Sequence, residues 1–77
     1  MNIDFVYHGK LSELLGRGSE KLQINSQNAG DLIRELITQK PQLKETTFQL
    51  AQKNKILPHD AIIEELEIDV FPPFSGG

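Results

Sequence analysis

Residues 28–40 read NAGDLIRELITQK, and this stretch contains the clearest helical pattern in the chain. Asn28 suits the N-cap position, because its side chain can accept a hydrogen bond from the backbone of Asp31, three residues later. The apolar residues that follow fall on one side of a helix: Ala29, Leu32, Ile33, Leu36 and Ile37. Pro41 ends the helix within a residue or two, since a proline disfavours helical geometry in the residue before it. The stretch therefore predicts one amphipathic helix that covers another layer.

Upstream of this helix, two segments show the alternation of a β-strand, in which successive side chains point to opposite faces. Residues 2–8 have an apolar or aromatic residue at every second position from Ile3, and residues 20–25 alternate in the same way. Residues 10–16 lie between them and have the spacing of one or two helical turns, closed by Gly16. We predict a hairpin whose two strands are joined through this short helical segment.

Downstream of the helix, the periodicity is weaker. Residues 43–46 are expected to be irregular or briefly helical. Residues 53–55 read Lys-Asn-Lys and form a polar turn between apolar neighbours. One or two short strands are predicted around this turn from four residues: Phe48, Leu50, Ala51 and Ile56.

The last strand alternates strictly, so its two faces can be assigned from the sequence. The expected buried set is Leu66, Ile68 and Val70. Phe71 then lies on the opposite face with Glu67 and Asp69, where water or a partner contacts it. We therefore predict that Phe71 is an interface anchor rather than a core residue.

The order strand, strand, helix, strands indicates an α+β protein and is that of a β-grasp (ubiquitin-like) domain, a mixed sheet with one main helix packed across it. Other small α+β sheets with one helix across them share this order. The 77 residues fit a single domain over 1–77. Its ordered body is expected over about residues 1–71, followed by a flexible, extended Gly-Gly tail over residues 72–77.

Composition and charge exclude several classes of function. A formal charge of −3 does not indicate nucleic-acid binding. The start of the chain lacks a signal peptide, and 18 consecutive apolar residues occur nowhere, so we expect no membrane association and a soluble cytoplasmic protein. With no cysteine, thiolate metal sites and cysteine nucleophiles are excluded.

The polar residues do not form a recognisable catalytic or metal-binding motif. His8 and His59 have no partner at the spacing of a helical metal site, so we expect no metal. Gly16-Arg17-Gly18 does not open a helix after a strand, as a phosphate loop would. An acidic run, Glu64, Glu65, Glu67 and Asp69, is either a solvated edge or a surface for a basic partner. On its own, the chain is not expected to be an enzyme.

The chain ends with residues 70–77, VFPPFSGG, which differ from an ordinary polar terminus. Two prolines force an extended backbone away from the last strand, and two glycines finish it without side chains. From Pro72 to Gly77 the tail reaches at most about 20 Å, enough to enter a narrow channel on a partner.

This ending, together with the pattern from Tyr7 to Gly16, resembles the β-grasp, ubiquitin-like sulfur carriers, and among them the small subunits of molybdopterin synthase. The resemblance implies that Gly77 is the reacting residue: an ATP-dependent partner adenylates its carboxylate, which then becomes a thiocarboxylate. It also implies that the rest of the tail binds in a partner's channel: Phe71, Pro72, Pro73, Phe74, Ser75 and Gly76. ATP would bind the partner, and this chain would bind no cofactor itself.

In the molybdopterin pathway, the resemblance implies that the loaded tail gives its sulfur to a cyclic pterin precursor. The implied partners are the large synthase subunit, in a heterotetramer of two small and two large subunits, a ubiquitin-activating-like adenylyltransferase and a sulfur donor. Two departures from the family stand out. Glu64-Glu65-Leu66 replaces an Asp-Gly-Asp-like turn, and His8 and Lys55 are polar where relatives are more hydrophobic on the partner-facing side of the sheet.

Three other functions fit the same sequence. The first is the sulfur carrier of thiamine synthesis, which shares the terminal chemistry but usually lacks the Phe-Pro-Pro step. The second is a ubiquitin-like modifier joined to target lysines through Gly77. The third is a plain β-grasp interaction module with an unmodified tail.

Overall fold

The computed structural model describes residues 1–72, and the predicted tail positions after Pro72 lie outside this range. Its centre is a five-stranded sheet in the order β2-β1-β5-β3-β4. The strands are β1 (Asn2–Tyr7), β2 (Ser19–Gln23), β3 (Gln49–Gln52), β4 (Lys55–Ile56) and β5 (Glu67–Phe71). β1 and β5 run parallel, whereas the other neighbours are antiparallel. This mixed sheet with a helix across it confirms the predicted α+β, β-grasp class.

The predicted hairpin of the first two strands is confirmed, and two short strands form around the predicted polar turn at residues 53–55. β1 pairs antiparallel with β2, and α1 (Lys10–Leu15) lies between them, ending at Gly16 in the left-handed conformation with φ 72°. β3 pairs with β4 around Lys53 and Asn54, whose φ values of 48° and 66° are both positive. Two successive positive φ values define the type I′ turn, whose twist matches that of the strands it joins.

The main helix, α2 (Ala29–Gln39), begins and ends where the sequence predicts. Asn28 Oδ1 accepts a hydrogen bond of 2.9 Å from the backbone N–H of Asp31, as an N-cap should. A short 3₁₀ helix, Pro41–Glu45, follows and buries Leu43 completely. The briefly helical alternative predicted after Pro41 is therefore the one that forms.

The core lies between α2 and one face of the sheet. Its largest fully buried side chains are Phe5, Ile3, Leu11, Ile24, Leu32, Leu36, Leu43, Leu50, Ile68 and Val70. The predicted burial of Leu66 is wrong, because its side chain is 62% exposed. The ladder between β1 and β5 starts at Asp4 and Glu67, so Leu66 contributes only its carbonyl to the Asp4 N–H, at 2.8 Å. Ile63 is buried instead.

Candidate functional site

The face of the sheet opposite α2, here called the outer face, contains the predicted interface anchor. In the parallel pair, Asp4 lies beside Glu67 and Val6 beside Asp69. These residues alternate with the fully buried ones, so they share the outer face, and Phe71 follows Asp69 on the same side. The predicted placement of Phe71 with Glu67 and Asp69 is confirmed.

The ring of Phe71 is half-buried and lies against His8. The two ring centroids are 4.3 Å apart and the planes differ by 9°, which is a parallel stack. His8 Nε2 donates to Asp69 Oδ1 at 2.9 Å, and its backbone N–H donates to the Val70 carbonyl at 3.0 Å. His8 is therefore on the outer face, as the sequence predicts.

Lys55 does not share that face. Ile56 pairs with Ala51, which pairs in turn with Asp69, so Ile56 is the outer-face residue of β4. Lys55 pairs with Gln52 and belongs to the other side. The predicted position of Lys55 on the partner-facing side is wrong, because the two-residue turn sets a register that the sequence pattern does not reveal.

The chain leaves β5 through Pro72, the last tail residue that the structure describes. Gly9 lies next to it, close enough that a Cβ built there would be 3.4 Å from Pro72 Cγ. An open cleft beside this contact is lined by Gly9, Lys10, Leu11, Glu13, Leu14, Thr46 and Pro72. The other predicted tail residues lie outside the described residues: Pro73, Phe74, Ser75, Gly76 and Gly77.

The acidic run predicted from the sequence is divided between different environments. Asp69 is engaged with His8, and Glu65 lies 2.8 Å from Lys53 Nζ, which raises the pKa of that lysine. The side-chain oxygen of Gln52 holds the loop by accepting from the backbone N–H groups of residues 64 and 65. Glu67 is exposed on the outer face.

The structure contains one polar cluster that the sequence did not predict. The Tyr7 hydroxyl donates to Glu20 at 2.6 Å, and Glu20 also lies 2.9 Å from Lys40 Nζ and 3.2 Å from Arg17 Nη1. Burial, and then the bond to Glu20, raise the pKa of Tyr7 above its ordinary value. Burial alone would raise the pKa of Glu20, but hydrogen bonds from Lys40 and Tyr7 and the two positive charges outweigh it, so the pKa is lowered.

This cluster links the β1–β2 hairpin to the end of α2, so we interpret it as structural. Arg17 and Glu20 are three positions apart, but Tyr7 and Lys40 are distant in the sequence, and no spacing signal could have joined them to Glu20. Among residues 1–72, no group of three or more His, Asp or Glu side chains could hold a metal ion. Over the same range, every helix is too short or too polar to cross a membrane.

A β-grasp sheet whose central last strand leads into a Gly-Gly sequence is the architecture of the ubiquitin-like sulfur carriers. The model of the ThiS family matches residues 5–77, and the chain therefore belongs to this family. No curated protein sequence matches the chain.

Solved structures show the same fold at low sequence identity. SAMP1 from Haloferax volcanii is 17% identical with a TM-score of 0.76, and the match covers 100% of both chains. A Pyrococcus furiosus protein described as molybdopterin converting factor subunit 1 is 19% identical with a TM-score of 0.80, covering 95% of this chain and 98% of that one. A further structure of the H. volcanii protein, described as small archaeal modifier protein 1, is 14% identical with a TM-score of 0.75, covering 94% and 97%.

Proposed function

We propose that this ThiS-family protein carries sulfur as a thiocarboxylate on Gly77 and delivers it to a cyclic pterin precursor during molybdopterin synthesis. The observation that carries the proposal is the exit of the chain from the central strand β5 through Phe71 and Pro72, the first two residues of the Phe-Pro-Pro sequence, directly beside an outer face suited to a partner. The similarity to a molybdopterin converting factor subunit 1 supports the same pathway. These reactions would take place in the cytoplasm.

The chemistry explains why the carrier needs an activating enzyme. A terminal carboxylate has an unperturbed pKa of about 3.5, so it is ionised at neutral pH and is a poor electrophile. Its oxygen attacks the α-phosphorus of ATP on the partner and displaces pyrophosphate, which gives a mixed anhydride with AMP. A hydrosulfide supplied by the donor then attacks the acyl carbon, the bond between that carbon and the AMP oxygen breaks, and the thiocarboxylate remains after AMP and a proton leave. Because the chain has no cysteine, its C-terminus is the place where it could hold this sulfur.

The outer face would bind the adenylyltransferase and the large synthase subunit in turn. Phe71 offers an aromatic anchor there. Glu67 and Asp4 add carboxylates at the opposite end of β5, where Asp4 lies 3.9 Å from Lys21 Nζ. Aromatic residues at the centre of an interface commonly supply much of the binding energy. Neither partner would need this chain to bind a cofactor, since ATP and the pterin would both be held by the partners.

A protein modifier is the second candidate, and one observation favours it: two of the similar structures are of an archaeal modifier protein with the same fold. In that case the acyl-adenylate would react with a lysine amine of a target protein and form an isopeptide bond. The thiamine pathway is a third possibility with the same loading step, and it differs in the enzyme that accepts the sulfur.

Intact mass spectrometry of the protein purified from its own cells tests the proposal. A carrier should gain the mass difference between one sulfur and one oxygen atom, and the gain should map to the C-terminal peptide. A variant lacking Gly77 serves as the control and should show no gain. Transfer to purified large subunit with the pterin precursor then separates the pathways. A ladder of larger conjugates without any thiocarboxylate would contradict the sulfur-carrier function and favour the protein-modifier function.

A further inference from the structure

The end of β1 contacts the place where the tail leaves β5. His8 and Gly9, the two residues that follow β1, lie against Asp69 and Phe71 of β5 and against Pro72, which follows β5. We call these five residues the tail-root clamp. The first two of these residues are separated from the last three by 60 or more positions in the chain. The parallel pairing of β1 with β5 brings the two groups together.

On one side of the clamp, Phe71 stacks on the His8 ring, and a hydrogen bond to Asp69 holds that ring in place. The His8 ring bonds Asp69 through Nε2, and its backbone N–H continues the ladder to the Val70 carbonyl. With both ends of His8 fixed, the stack fixes the orientation of the Phe71 ring. The last residue of β5 is therefore positioned by β1.

On the other side of the clamp, the backbone of Gly9 packs next to Pro72. Its backbone has φ 57° and ψ −133°, a conformation that residues with a Cβ rarely adopt. A Cβ at this position would also contact Pro72, at 3.4 Å from Cγ and 3.9 Å from Cδ. These are ordinary van der Waals distances, so it is the backbone conformation that calls for glycine; a residue with a Cβ would have to shift this backbone where it packs against Pro72, whose own φ is restricted by its ring.

We propose that the tail-root clamp positions the start of the C-terminal tail for the adenylating enzyme, so that the backbone at Pro72 is fixed before the partner binds. This inference rests on the proposed function, since it names the residues that hold the start of the reacting tail. Without the clamp, the enzyme must itself order the backbone around Pro72. Fixing the backbone of one residue corresponds to roughly a 5- to 30-fold change in affinity.

The test is ATP–pyrophosphate exchange by the purified adenylating enzyme at increasing concentrations of full-length carrier. Gly9→Ala should raise KM roughly 5- to 30-fold and leave kcat within about twofold, because the bound tail reacts normally once ordered. Gly9 has no side chain that a partner could contact, so a higher KM cannot come from a lost side-chain contact. Changes in the NMR shifts of the Phe71 ring would show that the clamp has loosened.

The chain offers two matched controls. Gly16 also has a positive φ, 72°, but a Cβ there would meet nothing within 4 Å, so Gly16→Ala adds backbone strain without touching the clamp. Gly18 has open space around it and no positive φ, so Gly18→Ala adds only a methyl group. Gly16→Ala should lower Tm and Gly18→Ala should not, and both should keep the wild-type KM.

A pair of His8 variants separates the stack from general stability. His8→Ala removes the stacked ring and should raise KM like Gly9→Ala. His8→Tyr keeps an aromatic ring against Phe71 and should recover most of the wild-type KM.

The outcomes distinguish this inference from the proposed function. If wild type supports no pyrophosphate exchange and gains no sulfur, the proposed function fails, and the inference fails with it. If wild type is adenylated but Gly9→Ala keeps its KM, or if Gly16→Ala raises KM equally, the clamp does not position the tail and the carrier function stands.

Discussion

The two faces of the β1–β5 strand pair differ sharply in burial, although successive residues of each strand alternate between them. The inner face, under α2, contains Phe5 and Ile68, both fully buried. The outer face contains Asp4, Glu67 and Phe71, which are exposed or half-buried. Each strand therefore buries one half of its side chains in the core and presents the other half on the face where we propose that a partner binds. Substitutions on the two faces should consequently separate stability from binding.

The largest effect is expected on the inner face. Phe5→Ala should lower the free energy of unfolding by about 3–5 kcal/mol, the usual cost of removing a buried aromatic ring. A domain of this size has a net stability of only about 3–5 kcal/mol, so the variant should be largely unfolded at 25 °C. Val6→Ala, on the opposite face of the same strand, is the matched control and should cost less than about 1 kcal/mol. Equal losses in urea unfolding would contradict the division between faces.

On the outer face, Phe71→Ala should weaken binding to the large synthase subunit by about 2 kcal/mol or more, because it removes the aromatic anchor. Its melting temperature should fall far less than that of Val70→Ala, whose side chain is fully buried. Calorimetric titration and thermal unfolding measure the two effects. A large loss of stability with unchanged affinity would place Phe71 in the core instead.

Acid should weaken the contacts that join α2 to β2 and to the loop between them, through Glu35 as well as Glu20. Glu35 accepts hydrogen bonds from the backbone N–H groups of Asn25 and Ser26 and from the Ser26 hydroxyl, at 2.6–3.1 Å. Burial alone would raise the pKa of Glu35, but these bonds outweigh it and lower the pKa. A lowered folded-state pKa gives stability that is present at neutral pH and is lost as pH falls through that value.

The free energy of unfolding should therefore decrease from about pH 5 downward as these carboxylates become protonated. Glu35→Gln should lower stability at neutral pH by about 1–3 kcal/mol and flatten the acid limb, which urea titrations at several pH values measure. Glu67→Gln, an outer-face substitution of the same kind, is the control and should leave the limb unchanged. The same flattening in both variants would refute the assignment to Glu35.

The smallest effect concerns the rate of encounter. If the partner's channel has a basic rim, Asp4→Asn with Glu67→Gln should slow association by less than about tenfold at low salt and leave dissociation unchanged. Asp69 is left intact, because it holds His8. Stopped-flow association rates over a salt series measure this, with Glu64→Gln as the control. Identical rates and salt slopes for the double variant and wild type would leave these charges as ordinary surface.

Local patterns in the sequence predict much of this fold. Alternation in residues 2–8 and 20–25, helical spacing after Asn28 and the Lys53-Asn54 turn all depend on near neighbours, and the structure confirms them. The face of Phe71 follows from strict alternation. The chemistry assigned to Gly77 came instead from the resemblance of the tail to known carriers.

What the sequence could not predict depends on tertiary pairing. Leu66 fits the alternation, but the ladder with β1 starts one residue later, so its side chain falls outside the core. The contact of Gly9 with Pro72 exists only because the first and last strands are adjacent. The bond between Tyr7 and Glu20 likewise needs the hairpin register.

The central position of β5 has a consequence for how the protein is made. β5 leaves the ribosome after the other four strands and is inserted between β1 and β3. Without β5, the β1–β2 hairpin and the β3–β4 hairpin are not joined. Until residues 67–71 have been synthesised, neither hairpin has a partner along its inner edge, and the sheet cannot close. A chain that stops early should therefore remain unfolded and open to proteolysis. Folding thus acts as a check on synthesis: a copy that completes the sheet already contains β5, the strand that leads into the tail.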